Sequence, residues 1–290
     1  MGSFMTENMW IAYMQSTFVF DLEYIGTSSD LKTCHIWEIG IQHYASGSTF
    51  SVTIRPDITP LPPPFSEEFI TLTDEELTKR EAVNFLTGWH KMLQWMNGFI
   101  PNNSNVLLIA HNAFKADKIM LEIDCKRHGV IIPYNWYFFD SLIFTRRMIP
   151  KQQSYTLGDL HRTLFNENIN NAHSALPDAI ALRNILLGIT QSGMDTSLTG
   201  PIYPAYLTSL QAVKWLGPSC EALLFEKNIR SLEQFVTEIL SLYALNNHQM
   251  QTMPIRQFII NIMALRWGVK EGNATSITDS LISKWLPGTA

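Results

Sequence analysis

Phe18-Val-Phe-Asp-Leu-Glu-Tyr24 is the stretch that most limits what this chain can become. Its apolar residues read as a buried strand, yet it carries two carboxylates. Successive side chains on a strand point to opposite faces, so Asp21 and Glu23 project together. Two like charges side by side on a central strand are costly to bury unless something positive joins them. A divalent cation is one solution, because hard ions such as Mg²⁺ take carboxylate oxygens and keep part of their water. An exposed strand end with two solvated acids is the other. The pair alone does not choose between them.

The rest of the composition allows a large core. Of 290 residues, 46% are apolar and 16% charged, against a usual charged share of about 25%, which excludes wholesale disorder. At roughly 150 residues per domain, the length implies two domains or one large domain with an appendage. Apolar runs such as Val106–Ala110 fall far short of the ~18 residues of a membrane span, so no membrane partner is expected. The first twenty residues lack a basic stretch ahead of an apolar run, and an intracellular location, cytoplasm or nucleus, is expected. Cys34, Cys125 and Cys220 are odd in number and far apart, offering neither a disulfide framework nor a paired-Cys metal site. The net charge of −5 arises before residue 190. A purely electrostatic grip on nucleic acid is therefore disfavoured, although a cluster of acids at one site accounts for the same deficit.

Strands are predicted over Phe18–Tyr24, His35–Tyr44 and Thr49–Ile54, with Ser46-Gly-Ser48 as a turn. Pro56 to Phe65 holds five prolines and reads as an extended loop. Thr73-Asp-Glu-Glu76 has a capping-box pattern, and a helix is predicted from about Glu81 to Met96. Val106–Ala110 reads as a strand, Ala116–His128 as a helix, Asn135–Phe139 as a strand and Thr156–Leu164 as a helix. Ser174 is placed to cap a helix running to about Leu187, with Pro177 tolerated in its first turn. This alternation after a three-strand meander predicts an α/β domain with a mixed sheet. The boundaries expected are an N-terminal extension over 1–15, the α/β domain over 16–190, a linker over 191–203 and an α-helical accessory domain over 204–290.

Two further segments bear on the acids. Ile109-Ala-His-Asn-Ala-Phe-Lys-Ala-Asp117 runs from a strand into a helix, and His173-Ser-Ala-Leu-Pro-Asp178 opens another. Phe-Asp-Leu-Glu, then Ala-His-Asn with Asp six after the His, then His with Asp five after it, resemble in order the three exonuclease motifs of the DnaQ-like DEDDh family. Trp37-Glu-Ile-Gly40, Phe139-Asp-Ser-Leu142 and Ser154-Tyr-Thr-Leu-Gly-Asp-Leu160 agree with that pattern. The resemblance covers about residues 16–188, and the His111–Asp117 step is similar to the three-prime repair exonuclease branch.

What the resemblance implies is a ribonuclease-H-like mixed sheet flanked by helices. It also implies a 3′→5′ exonuclease in which Asp21, Glu23, Asp117 and Asp178 hold two Mg²⁺ or Mn²⁺ ions and His173 is the general base. Its partner is a nucleic acid with a free 3′ end, DNA favoured over RNA. The positions that pack against the terminal nucleotide in this family match Leu22, Tyr24 and Ile25, with Tyr-Ile-Gly standing where Thr-Thr-Gly is more frequent. Ile70, Thr71 and Leu72 match the segment that wedges between the last bases. Asn112 and Lys115, on the second motif, are further candidates for substrate binding.

Other polar residues near the motifs have plainer readings. Asp140 and Asp159 read as cap or turn residues, and His111 as a hydrogen-bonded structural residue. Lys118 beside Asp117, and the run Arg146, Arg147 and Lys151, are placed either to touch phosphate or to be solvated. In the C-terminal part, Leu210–Leu224 followed by Asn228–Phe235 looks like a helix-hairpin-helix whose turn is Trp215-Leu-Gly217; an ordinary helical bundle with a Gly-Pro turn fits equally. The alternatives to a DNA exonuclease are an exoribonuclease, an end-binding module with little catalysis, and a scaffold whose α/β domain is inert.

Overall fold

The computed structural model describes residues 3–26, 33–61, 72–101, 104–191, 198–205, 210, 213–248 and 253–286. The chain divides into two compact units: Phe4–Ala205, and Tyr206–Ala290 with the first three residues.

The first unit is built on one mixed sheet. Its strands are β1 (Ser3–Met5), β2 (Thr17–Ile25), β3 (His35–His43), β4 (Thr49–Thr53), β5 (Val106–Ala110), β6 (Trp136–Asp140) and β7 (Gly200–Pro204), in the order β1-β7-β6-β5-β2-β3-β4. β2, β5 and β6 run parallel, while β3, β4 and β7 are antiparallel to their neighbours. Two of these pairings position the site. β2 and β5 pair only over Thr17–Val19, so Asp21 and Glu23 lie past the end of that ladder. Between β2 and β3, Glu23 faces Glu38 and Tyr24 faces Ile36, leaving Trp37 as an extra residue in a bulge.

Helices in this unit are α1 (Glu7–Tyr13), α2 (Asp74–Lys79), α3 (Phe85–Asn97), α4 (Asp117–Arg127), α5 (Ser141–Met148), α6 (Leu157–Phe165) and α7 (Ala175–Gln191). Side-chain caps open several of them. Thr73 accepts from the Glu76 amide at 3.1 Å, and Asn84 accepts from the Thr87 amide at 2.8 Å. Leu182, Ile185, Leu186 and Ile189 on α7 pack on Val19, Leu107 and Ile109 of the central strands.

The structure corrects four expectations. The helix predicted from Glu81 begins at Phe85, because Val83 exchanges backbone hydrogen bonds with Thr53 and Arg55 beside β4. Residues 200–203 of the expected linker, with Pro204, form β7 against β6; Ile202 and Tyr203 are buried, and Tyr203 packs edge-on against Phe114. α5 was not foreseen as a helix: Asp140 caps it by accepting from the Leu142 amide at 2.9 Å. Residues 1–15 are more than an extension, since Trp10 and Tyr13 of α1 are buried in the core beside Tyr44.

The second unit is helical: α8 (Pro218–Glu226), α9 (Leu232–His248), α10 (Ile255–Asn261), a π-helical turn over Ile262–Arg266 and α11 (Glu271–Trp285). Its own core gathers Leu216, Leu224, Phe235, Ile259, Met263 and Leu281. Gly217 is the N-cap of α8 after an exposed Trp215 with φ +73°. Of the first helix of the hairpin read from the sequence, 211 and 212 lie outside the described residues, and 213–217 form a bend and turn with no α-helix. Among the described residues no helix is long and apolar enough to cross a membrane.

Candidate active site

The site lies at the carboxyl ends of the parallel strands, the usual place for ligands in an open α/β sheet. Asp21 and Glu23 come from β2, and Asp178 comes from the first turn of α7. One carboxylate oxygen from each of these three lies within 4.8 Å of the others. Asp117, the first residue of α4, is outside that triplet. It is buried, and its Oδ1 accepts the Leu22 amide at 3.1 Å. Three of the four predicted ligands therefore converge, and the fourth is tied to the backbone between the first two.

Burial and mutual repulsion dominate the electrostatics. Asp21 is raised well above the ordinary carboxylate range by burial first, then by Asp117, Glu23 and Asp178. Glu23 is raised to about 8 by burial and then by Asp178 and Glu38. Asp117 is raised to about 7 by burial, against the pull of the amides it accepts. Asp178 is raised by burial and partly restrained by the His173 amide. Oδ1 of Asp178 is buried and accepts no hydrogen bond. A converging set of oxygen donors, uncompensated and with one orphaned oxygen, fits a hard divalent cation.

His173 precedes α7 in the left-handed region, φ +65°, and is exposed. Its amide donates to Oδ2 of Asp178 at 3.2 Å. His111 has a different environment. Its Nδ1 lies 3.0 Å from Ser141 Oγ and its Nε2 2.8 Å from the Tyr155 carbonyl, and burial lowers its pKa. Asp140 is buried and accepts the Asn112, Phe114 and Leu142 amides, which fixes the turn between β5 and α4.

The candidate substrate residues are distributed unevenly. Tyr24 is half-buried beside the acids; its phenol is raised to about 12, chiefly by burial and then by Asp117. The side chains of Leu22 and Ile25 are buried, Ile25 with Leu72, Trp37 and Leu77 in a small apolar cluster. Ile25 and Leu72, far apart in sequence, thus share one cluster next to the acid-bearing strand. Asn112 takes a left-handed φ of +63° at the end of β5, and Lys115 is exposed. Ile70 and Thr71 lie outside the described residues. Lys118 is not at the surface: it is buried, paired with Glu122 and 5.5 Å over Phe138. Arg147 is engaged by Thr199, while Arg146 lies over Tyr155.

Glu38 has no role in the sequence reading. It is buried opposite Glu23, and Oε2 accepts from Ser174 Oγ and the Ala175 amide, each at 3.1 Å. The available signal was the one that singled out Asp21 and Glu23, a carboxylate inside an otherwise apolar strand.

A mixed sheet with carboxylates gathered at the ends of its parallel strands is an arrangement able to hold a divalent cation. Residues 18–186 match the Exonuclease family of the RNase T type. The chain belongs to this exonuclease family, with the DEDDh set of motif residues. It is accordingly a 3′–5′ exonuclease, a phosphodiester hydrolase. Two solved structures agree in fold. A full-length 3′-exonuclease aligns with a TM-score of 0.52 at 15% identity, over 63% of this chain and 84% of that one. A 3′-exonuclease from a complex on 3′-end recognition of a histone mRNA stem-loop gives 0.52 at 14%, over 63% and 67%. The nuclease domain of 3′hExo, a DEDDh family member bound to rAMP, gives 0.48 at 16%, over 62% and 93%. No curated protein matches the sequence significantly.

Proposed function

We propose that the protein shortens nucleic acid from its 3′ end with two divalent ions, Mg²⁺ or Mn²⁺, and releases nucleoside 5′-monophosphates. The observation that carries this reading is the convergence of Asp21, Glu23 and Asp178 oxygens, with Asp117 behind them and Oδ1 of Asp178 left without a donor. Bound there, the ions would supply an activated water and offset the charge that builds on the scissile phosphate. Asp21, Glu23 and Asp178 would hold them, with Asp117 as the fourth carboxylate beside them. His173 accepts the proton of the attacking water as general base. The hydrogen bond from its backbone amide to Oδ2 of Asp178 keeps this residue next to the acids. Tyr24 and the backbone of Leu22 and Ile25 face the terminal nucleotide, with Asn112 and Lys115 on the far side.

DNA is the favoured polymer, on the six-residue step from His111 to Asp117. One fold neighbour takes part in histone mRNA stem-loop recognition, so RNA belongs in the same test. Single- and double-stranded DNA and RNA, labelled at the 5′ end, are incubated with Mg²⁺ or EDTA and resolved on a gel. A ladder shortening from the 3′ end only with metal, faster on DNA, supports the reading. Internal fragments or metal-independent products would sink it. Faster RNA trimming would overturn the DNA preference alone.

A further inference from the structure

A fifth carboxylate stands at the site without a part in holding ions. Glu38 is 7% exposed and lies directly across from Glu23 in the β2–β3 register. Like charges opposite one another on a sheet repel, and burying the second is costly unless donors meet it. Its donors come from one place, the start of α7. Oε2 takes the Ala175 amide and the Ser174 hydroxyl, each at 3.1 Å, and Oε1 is 3.3 Å from the same hydroxyl. A helix N-terminus offers unpaired amides and the positive end of its dipole, so the carboxylate is stabilised there. Two residues along β3, Gly40 allows the helix to approach. A Cβ at Gly40 would lie 2.2 Å from the Ala175 carbonyl carbon and from the Leu176 nitrogen. The beginning of α7 is thus fixed to β3 at two points, and Asp178 follows within the same first turn.

We propose that Glu38 is a positioning residue for the nuclease reaction: by capping α7 it sets where Asp178 and His173 stand against Asp21 and Glu23. The inference rests on the exonuclease reading above and adds a residue that touches neither substrate nor ion. Asp21, Glu23 and Asp178 direct oxygens toward one another, whereas Glu38 directs its own to Ser174 and Ala175.

The test compares the parent protein with Glu38→Gln, Glu38→Ala, Ser174→Ala and Asp21→Asn. Three quantities are read: Tm in EDTA, the Tm shift on titrating Mg²⁺, and kcat and KM on a 5′-labelled oligonucleotide. Glutamine keeps one oxygen for both donors, so Glu38→Gln should retain the Mg²⁺ shift and lose no more than about tenfold in kcat. Glu38→Ala should lose about 10²-fold in kcat with KM nearly unchanged, as displacement of a catalytic group does, and should need more Mg²⁺ for half of its Tm shift. Ser174→Ala should fall between the two, and it decides the matter with Glu38→Gln if Glu38→Ala does not fold. Parental kcat and Mg²⁺ dependence in folded Glu38→Ala would overturn the proposal, since the residue would then only stabilise the fold. So would a Glu38→Gln protein as inactive and as blind to Mg²⁺ as Asp21→Asn, which would make Glu38 a ligand. A parent that cleaves nothing would instead fail the exonuclease reading, and the Tm titrations would still judge Glu38.

Discussion

The backbone amide of His173 donates to Oδ2 of Asp178, five residues later, at 3.2 Å. The bond closes the loop ahead of α7 and ties the backbone of His173 to Asp178. It comes from the backbone and therefore survives loss of the imidazole.

His173→Ala should consequently separate chemistry from architecture. Turnover should fall by roughly 10²–10⁴-fold, as removal of a general base does, while the Mg²⁺-induced Tm shift remains. Loss of that shift would make His173 a ligand. Single-turnover cleavage with parallel melting curves gives both readings.

Mg²⁺ should stabilise the protein increasingly as pH rises from 5 to 8. Glu23 is raised to about 8 and Asp117 to about 7 in the folded chain without metal. A carboxylate raised above its unfolded value contributes stability below that value and loses it as pH passes the folded value. The metal-free protein thus loses this contribution between about pH 4 and 8, while the ion favours the charged forms. The difference in Tm between Mg²⁺ and EDTA should be small at pH 5, largest near pH 8, and nearly absent in Asp21→Asn. A difference independent of pH would place the ion elsewhere. Taking the difference cancels the opposite trend from His35, whose pKa is lowered to about 4 by burial and Arg127.

Two glycines should respond in opposite ways to the same added methyl. Gly40→Ala drives a Cβ into the backbone of α7 and should cost about 1–3 kcal/mol or more, as overpacking does, with cleavage lost. At Gly217 a Cβ meets nothing within 4 Å and φ is −85°, so Gly217→Ala should cost no more than about 1 kcal/mol, the N-cap preference alone. Urea melts of both variants check the pair. Equal costs would contradict the close approach of α7 to β3.

His111→Ala should act on stability more than on the reaction. It leaves the Ser141 hydroxyl and the Tyr155 carbonyl without their shared partner, a loss of about 1–3 kcal/mol for buried polar groups. Cleavage per folded molecule should stay within about tenfold of the parent, short of the loss expected for a general base. A fall as deep as that of His173→Ala would place His111 in the chemistry.

How much of this was legible depended on whether a residue broke its local pattern. Asp21 and Glu23 stood out because carboxylates interrupted an apolar strand, and Asp117 and Asp178 because each opened a helix at a fixed step from a histidine. Glu38 interrupted its strand just as plainly, but its partners Ser174 and Ala175 lie more than 130 residues away, so nothing nearby revealed its use. β7 was hidden by Gly200, Pro201 and Pro204, which belong to turns by local preference; burial of Ile202 and Tyr203 makes a strand of them. The start of α3 was misjudged because Val83 has a backbone partner in another segment. Local propensity has no access to such pairings.

The short β2–β5 ladder has a mechanical consequence. Past Val19 the two strands share no further rungs, and α4 takes over as a brace. Asp117 holds the Leu22 amide of β2 at its front end, and seven residues on Asp124 holds the Ile36 amide of β3 at 2.7 Å. Arg127 then clasps Asp124 and the Cys34 carbonyl. The end of β2 and the start of β3 are therefore both held by one helix. Asp117 is thereby tied to the strand that carries Asp21 and Glu23, while Asp178 is set separately by the start of α7 on β3.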